Sequence, residues 1–257
     1  MCGIAGHFGE IKIEKKNLFS VIKALSHRGP DANGIFKKDL KKKTVSLIHT
    51  RLKILDLNIR ANQPFSYGNS TLVFNGEIYN YLELKSELEK LGHKFITSSD
   101  TEVLIHSLKE WGVEKALNKF EGMWALAWYD ESNSQLVLAR DRFGEKPLYI
   151  MKENKNFFFS SEIKGIAILK NEWPEKNFNY LIKYLSQGYK SLYKNNETFF
   201  KKIYEFPKGK YTIYKYDGSS ITKNYWRFSL KKKNNFSEEE NAENVKSLLI
   251  NSLKLRT

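Results

Sequence analysis

The chain has 257 residues, 41% of them hydrophobic, with five Trp, fourteen Tyr and seventeen Phe, enough to bury a sizeable core as one large domain or one domain with an appendage. One cysteine excludes an internal disulfide framework and a cysteine-based zinc site, and the absence of any run near the roughly 18 apolar residues of a membrane span, or of a basic-then-apolar opening, places the protein in the cytoplasm and away from membranes. The formal net charge of +14 invites a nucleic-acid reading, but the lysines are scattered, with short runs at 41–43 and 231–233, and Arg, the residue suited to bidentate phosphate or base contacts, is scarce, so no nucleic-acid partner is expected.

The segment from Cys2 to Phe8 is small and apolar; Leu18, Val21, Ile22 and Leu25 then recur at helical spacing ahead of the punctuating His27-Arg28-Gly29-Pro30-Asp31. Residues 44–49 read as a strand, 51–57 as a second extended piece, and 71–74 as a strand that stops at the Asn75-Gly76 turn signal. A helix follows with Leu84, Leu88 and Leu91 on one face and Gly92 past its end. Another begins near Asp100, carries Leu104, Leu108 and Trp111, and is closed by Gly112. Residues 124–129 and 135–139 form a hairpin across a polar turn, and 147–151 with 156–160 form the next antiparallel pair. A helical stretch over 178–185 leads to a β-rich segment over 204–228, broken by Pro207, Gly209 and Gly218. Helices and strands interleave without a βαβ rhythm, which predicts an α+β fold with mainly antiparallel sheets stacked between helices. Past a polar linker at 231–235, Ser237 and Glu240 have capping-box spacing, and Val245, Leu248, Leu249 and Leu253 form a helical apolar stripe.

Met1-Cys2-Gly3 has a specific chemistry. A small residue at position 2 permits removal of Met1, leaving Cys2 with both a thiol and a free α-amine; that amine, with an ordinary pKa of about 8, can serve as general base for its own side chain. Taken alone, Cys2 reads as a small buried thiol, Asn75-Gly76 as a turn, Arg51 as a solvated cation, Glu77 as a helix-entry carboxylate and Asp100 as a group favouring a helix N-terminus beside a Ser99–Glu102 capping box. His27, His49, His93 and His106 do not fall at metal-ligand spacing, so no metal site is expected.

Together, Cys2-Gly3-Ile4-Ala5-Gly6, His27-Arg28-Gly29-Pro30-Asp31, Asn75-Gly76-Glu77-Ile78-Tyr79-Asn80 and Arg140-Asp141-Arg142-Phe143-Gly144-Glu145-Lys146-Pro147-Leu148-Tyr149 resemble the successive signatures of class II glutamine amidotransferases. The stretch 120–149 and Phe159-Ser160-Ser161-Glu162-Ile163-Lys164 are similar to glutamine-hydrolysing asparagine synthetases. The resemblance implies a four-layer αββα sandwich with Cys2 at the end of a central strand, and L-glutamine as substrate. It implies Cys2 as nucleophile and Asn75 with the Gly76 N–H as oxyanion donors. Arg51 would bind the substrate carboxylate in a planar contact, Glu77 and Asp100 its ammonium, and the backbone through Leu52, Ile54 and Leu55 would line the pocket. The 140–149 segment is implied to be structural support near an interdomain face.

The same resemblance divides the chain into a glutaminase domain at 2–230 and, at 231–257, a linker and first helix of a truncated synthetase domain. The glutaminase half needs no cofactor; ATP and Mg²⁺ belong to the synthetase half, whose Ser-Gly-Gly-x-Asp-Ser loop is not in this sequence. A separate synthetase domain or subunit is then the expected ammonia acceptor, and the alternative is a catalytically silent docking module of the same fold. Two departures concern loop geometry: His7 replaces a more usual aliphatic residue, and Arg60-Ala61-Asn62 lacks the usual glycine before Gln63-Pro64.

Overall fold

A computed structural model describes residues 1–189, 195–230 and 236–256. In chain order the elements are β1 (Gly3–Gly9), α1 (Lys15–Leu25), β2 (Ala32–Asp39), β3 (Thr44–Arg51), a 3-10 turn (Ile59–Ala61), β4 (Phe65–Tyr67), β5 (Ser70–Ile78), α2 (Tyr81–Lys90) and α3 (Asp100–Lys119). There follow β6 (Gly122–Asp130), β7 (Gln135–Arg140), β8 (Tyr149–Glu153), β9 (Asn156–Ser160), α4 (Ile163–Lys170), α5 (Phe178–Gln187), β10 (Ile203–Glu205), β11 (Lys210–Lys215), β12 (Ser220–Asn224) and α6 (Glu238–Lys254).

Two six-stranded antiparallel sheets result, ordered β10-β8-β9-β1-β3-β2 and β12-β11-β7-β6-β5-β4. Three apolar clusters define four layers. Ala5 and Ile48 of the first sheet pack on Leu18, Val21 and Leu25 of α1 and Ile166 of α4. Ile4, Phe8, Val45 and Leu47 meet Val73, Ala125, Ala127 and Leu136 of the second sheet. The far face of that sheet, through Leu72, Phe74, Leu126 and Val137, packs on Leu84, Leu88, Leu104 and Leu108 of α2 and α3. The expected αββα sandwich is therefore what the alternating faces of the strands build. Strand β1, hydrogen-bonded on both sides by β3 and β9, begins directly after Cys2.

Several local expectations are corrected. Asn75-Gly76 does not turn the chain: β5 runs through it and pairs with β6 from Ser70↔Asp130 to Ile78↔Gly122, because a long ladder outweighs a two-residue turn propensity. Gly76 answers a different need, since a Cβ there would collide with the Met123 carbonyl and the Trp124 backbone. Gly112, at φ 73°, kinks α3, which continues to Lys119. Residues 52–58 form a loop, Leu91 is exposed, and β2 and α4 arise where no element was expected. At α3, Ser99 caps the Thr101 N–H, but Glu102 turns to the Ile96 and Thr97 N–H groups, so the second half of a capping box is not made. The box at Ser237 and Glu240 is made in full, and Val245, Leu248, Leu249 and Leu253 of α6 are exposed. The linker expected at 231–235 lies outside the described residues. Among the described residues, no helix is long and apolar enough to cross a membrane.

Candidate active site

At the end of the sandwich where β1 begins, a cavity of about 250 Å³ is walled by Cys2, Arg51, Leu52, Ile54, Leu55, Asn75, Gly76, Glu77 and Asp100, so all the residues predicted from the sequence meet in one place. Its thiol is fixed by backbone: the Leu52 N–H points at Cys2 Sγ (3.4 Å), and Arg28 Nε donates to the Cys2 carbonyl (3.0 Å). Burial pushes the Cys2 thiol above its usual range, while the Leu52 N–H, the positive chain terminus and Arg51 pull the other way. Burial therefore favours the protonated thiol over the thiolate.

The opposite wall is an open sheet edge. β4 covers β5 only through Leu72, so beyond it the outward N–H groups, which recur every second residue, have no strand to bond. The Phe74 N–H donates to Gln63 Oε1 (2.6 Å) and the Ile78 N–H to Asp100 Oδ2 (3.1 Å). Gly76, midway between them and a cavity-lining residue, shares their direction by the same alternation. Beside it, Asn75 is 1% exposed and its side-chain Nδ2 has no hydrogen-bond partner. A buried donor left unpaired costs about 1–3 kcal/mol. Asn75 and Gly76 thus line the same cavity as the thiol, with no protein acceptor for the Asn75 Nδ2, an arrangement suited to an oxygen that becomes negative during reaction.

Arg51 is buried, not solvated, and its guanidinium is heavily used. Nη1 donates to the Asn58 carbonyl and Asn62 Oδ1, and Nη2 to the carbonyls of Leu55 and Asp56. These four bonds occupy its four terminal N–H groups. A bidentate hold on a substrate carboxylate thus requires the 55–62 loop to release two of them. Arg60-Ala61-Asn62, the sequence that departs from the usual glycine, supplies one of these partners.

Asp100 is not a mere helix-entry group. Burial pushes its carboxyl up to about 6, against the opposing bonds from the Ile78 and Thr101 N–H groups and with Glu77 adding repulsion. Since its ordinary value is 3.8, the folded chain holds a proton that the unfolded chain has released between those values. Folding stability therefore falls as pH rises through that window, and the cost is complete above about pH 6. Asp100→Asn is expected to stabilise the protein at neutral pH by up to about 3 kcal/mol and to lose that advantage below about pH 4. Thermal melting of both proteins across pH 4 to 8 checks this, and equal melting curves at neutral pH would refute it.

Residues 1–226 match the family described as the glutamine amidotransferase domain. The chain belongs to this family. It is 32% identical over 281 residues to a putative glutamine-hydrolyzing asparagine synthetase 2 of Methanocaldococcus jannaschii, a match covering all of this chain and 52% of that protein. Asparagine synthetase 1 of Bacillus subtilis is 37% identical over 179 residues, covering 67% of this chain and 27% of the relative. Among solved structures, the glutamine phosphoribosylpyrophosphate amidotransferase of B. subtilis superposes with a TM-score of 0.64 at 21% identity, over 88% of this chain and 49% of that one; this establishes likeness of fold. The chain spans about half or less of the length of the curated relatives it matches.

Within this amidotransferase domain the cavity also takes Gln63, Ser99, Thr101, Met123 and Lys146, none of which the sequence analysis placed there. Gln63 and Met123 carry no local signal, since they become wall residues only through β5's open edge and its pairing with β6. Lys146 corrects the reading of its segment. The 140–149 stretch is indeed a support, built on the buried Asp141, but it also extends to the cavity wall. His7, the other departure, is buried beside Phe158 and bonded to Asn156 Oδ1, with burial pushing it down to about 4, so a neutral ring fills the aliphatic position.

Proposed function

We propose that this domain hydrolyses L-glutamine to glutamate and ammonia, with Cys2 as nucleophile once Met1 has been removed. The observation that carries the reading is the Cys2 thiol sharing one cavity with the unpartnered Asn75 amide and the outward Gly76 N–H. The new α-amine takes the thiol proton, sulfur bonds to the side-chain amide carbon, and the carbonyl electrons move to oxygen, where Asn75 and Gly76 donate. Collapse of that adduct expels ammonia, which carries the proton from the amine. Water then adds to the thioester, the C–S bond breaks, and glutamate leaves as the thiol is restored. Asp100 and Glu77 bind the substrate ammonium, which holds Asp100 ionised. Arg51 binds its carboxylate as the 55–62 loop yields bonds, and Leu52, Ile54 and Leu55 line the chain.

The chemistry needs no metal or cofactor in this domain. The ammonia is destined for an acceptor carboxylate in ATP-dependent asparagine synthesis, performed with ATP and Mg²⁺ by a synthetase domain or subunit; relatives named as glutamine-hydrolyzing asparagine synthetases support the asparagine end of this reading. A lone unpaired thiol suits the reducing cytoplasm, where we place the reaction. The completeness of the site speaks against the silent-module alternative.

A diazo-ketone analogue of glutamine tests the reading. The mature chain is expected to lack Met1 by intact mass and to gain one equivalent of label on Cys2, with loss of glutamine hydrolysis in step with labelling. Cys2→Ala should take no label. Hydrolysis persisting in the fully labelled protein would overturn the assignment.

A further inference from the structure

Resting on that reading of the site, we infer that Gln63 is a positioning residue for glutamine hydrolysis: its side-chain amide sets the spacing between the oxyanion strand and the helix that carries Asp100. Gln63 is 6% exposed and occupies the place where a neighbouring strand would have bonded β5. Its Oε1 accepts the Phe74 N–H at 2.6 Å, and its Nε2 donates to Thr101 Oγ1 at 3.2 Å. The orientation of the amide is settled by the partners, because a backbone N–H can only be met by the oxygen end. Thr101 passes the polarity on: its hydroxyl lies 3.5 Å from Asp100 Oδ1, and the Asp100 Oδ2 in turn receives the Ile78 N–H.

These bonds close a frame. Along the open edge of β5, Phe74 is held by Gln63 and Ile78 by Asp100, and Gln63 and Asp100 are joined through Thr101. Gly76, whose N–H is the proposed oxyanion donor, sits in the middle of the framed segment and Asn75 beside it. His49 Nε2 lies 3.2 Å from the Phe74 carbonyl, so both polar groups of Phe74 are fixed by side chains instead of by a strand. The backbone that carries Gln63 is itself held in place, since Gly34 of β2 packs so closely on the Gln63 carbonyl that a Cβ would collide with it. One amide thus serves both halves of the site. Its oxygen end steadies the donors that act on the transition state, and its nitrogen end steadies the carboxylate that binds the ground state.

That division predicts how kinetics separate. Gln63→Met keeps the length and removes both bonds, so kcat per labelled Cys2 is expected to fall about tenfold or more, in line with the cost of misplacing reacting groups, with a severalfold rise in KM. Thr101→Val breaks only the arm to Asp100 and should raise KM while largely sparing kcat, and Thr101→Ser, which keeps the hydroxyl, should recover most of that loss. Titrating active sites with the diazo-ketone removes any contribution from misfolded protein. Amide hydrogen exchange provides a readout independent of turnover: in Gln63→Met the Phe74 and Ile78 amides should exchange faster than in the unsubstituted chain. Unchanged kcat and KM per labelled site, or unchanged exchange at Ile78, would make Gln63 a packing residue and overturn the inference. Failure of the unsubstituted chain to hydrolyse glutamine would instead strike the functional reading, leaving exchange to decide the frame.

Discussion

Asp141→Ala is expected to unfold the domain or lower its melting temperature by about 10 °C or more, the largest stability loss of any single substitution outside the apolar core. The Asp141 side chain is fully buried and accepts five backbone N–H groups. Oδ1 takes those of Phe143 (2.9 Å), Gly144 (2.6 Å) and Glu145 (3.0 Å), and Oδ2 those of Trp124 (3.1 Å) and Lys146 (3.1 Å). Alanine leaves the buried Trp124 and Lys146 N–H groups without an acceptor, frees those of Phe143 and Glu145, and leaves the Gly144 N–H only its longer bond to the Asp141 carbonyl (3.3 Å). Even with partial relaxation the cost is expected to reach about 4 kcal/mol, since each unmet buried donor costs about 1–3 kcal/mol. Asp141→Asn should rescue little, because its amide N–H groups would face other donors. The damage should spread to the cavity as well, through Trp124, which pairs with Gly76, and Lys146, which lines the wall. Thermal melting by circular dichroism checks this; a melting temperature within a few degrees of the parent would show that the nest of N–H groups finds other partners.

Asp141 also shows where sequence reading reached and where it stopped. Its segment was legible as a support only through the family resemblance, and the convergence of five donors on one carboxylate depends on a turn that folds back onto β6. The α+β class with sheets stacked between helices was legible from the strand read at 44–49 and the helical spacing of Leu84 and Leu88 and of Leu104 and Leu108, whereas the four-layer sandwich came from the family resemblance. Local signals failed where tertiary pairing outweighed them. Asn75-Gly76 looks like a hairpin turn until β6 pairs along its whole length, and Gly112 looks like a helix end until the chain resumes its helix beyond it. The candidate site residues Cys2, Arg51, Asn75, Gly76, Glu77 and Asp100, which line one cavity, were legible only as a set in family order; singly, each had an ordinary explanation. Gln63 was invisible as a site residue, because its importance comes from an absent strand, and no pattern in the sequence announces where a short β4 will stop.

The oxyanion assignment makes the strongest kinetic demand on a single side chain. Asn75→Leu keeps the branched shape of the residue and removes the Nδ2 donor, so kcat for glutamine hydrolysis is expected to drop by about 10²–10³, with KM shifting far less. In the proposed mechanism ground-state binding rests on Arg51, Glu77 and Asp100, and the substitution leaves them in place. Stability should move in the other direction. In the empty site Nδ2 is buried with no partner, and replacing an unmet polar group by an apolar one of similar shape is neutral or favourable. A purely structural asparagine would behave in the opposite way, losing melting temperature and keeping its rate per active site. The decisive measurement is therefore the pair of numbers from one sample: kcat normalised to Cys2 labelling, and the melting temperature. A rate near that of the parent, or a rate lost only in proportion to folded protein, would remove Asn75 from the oxyanion site and leave the Gly76 N–H as its sole proposed donor.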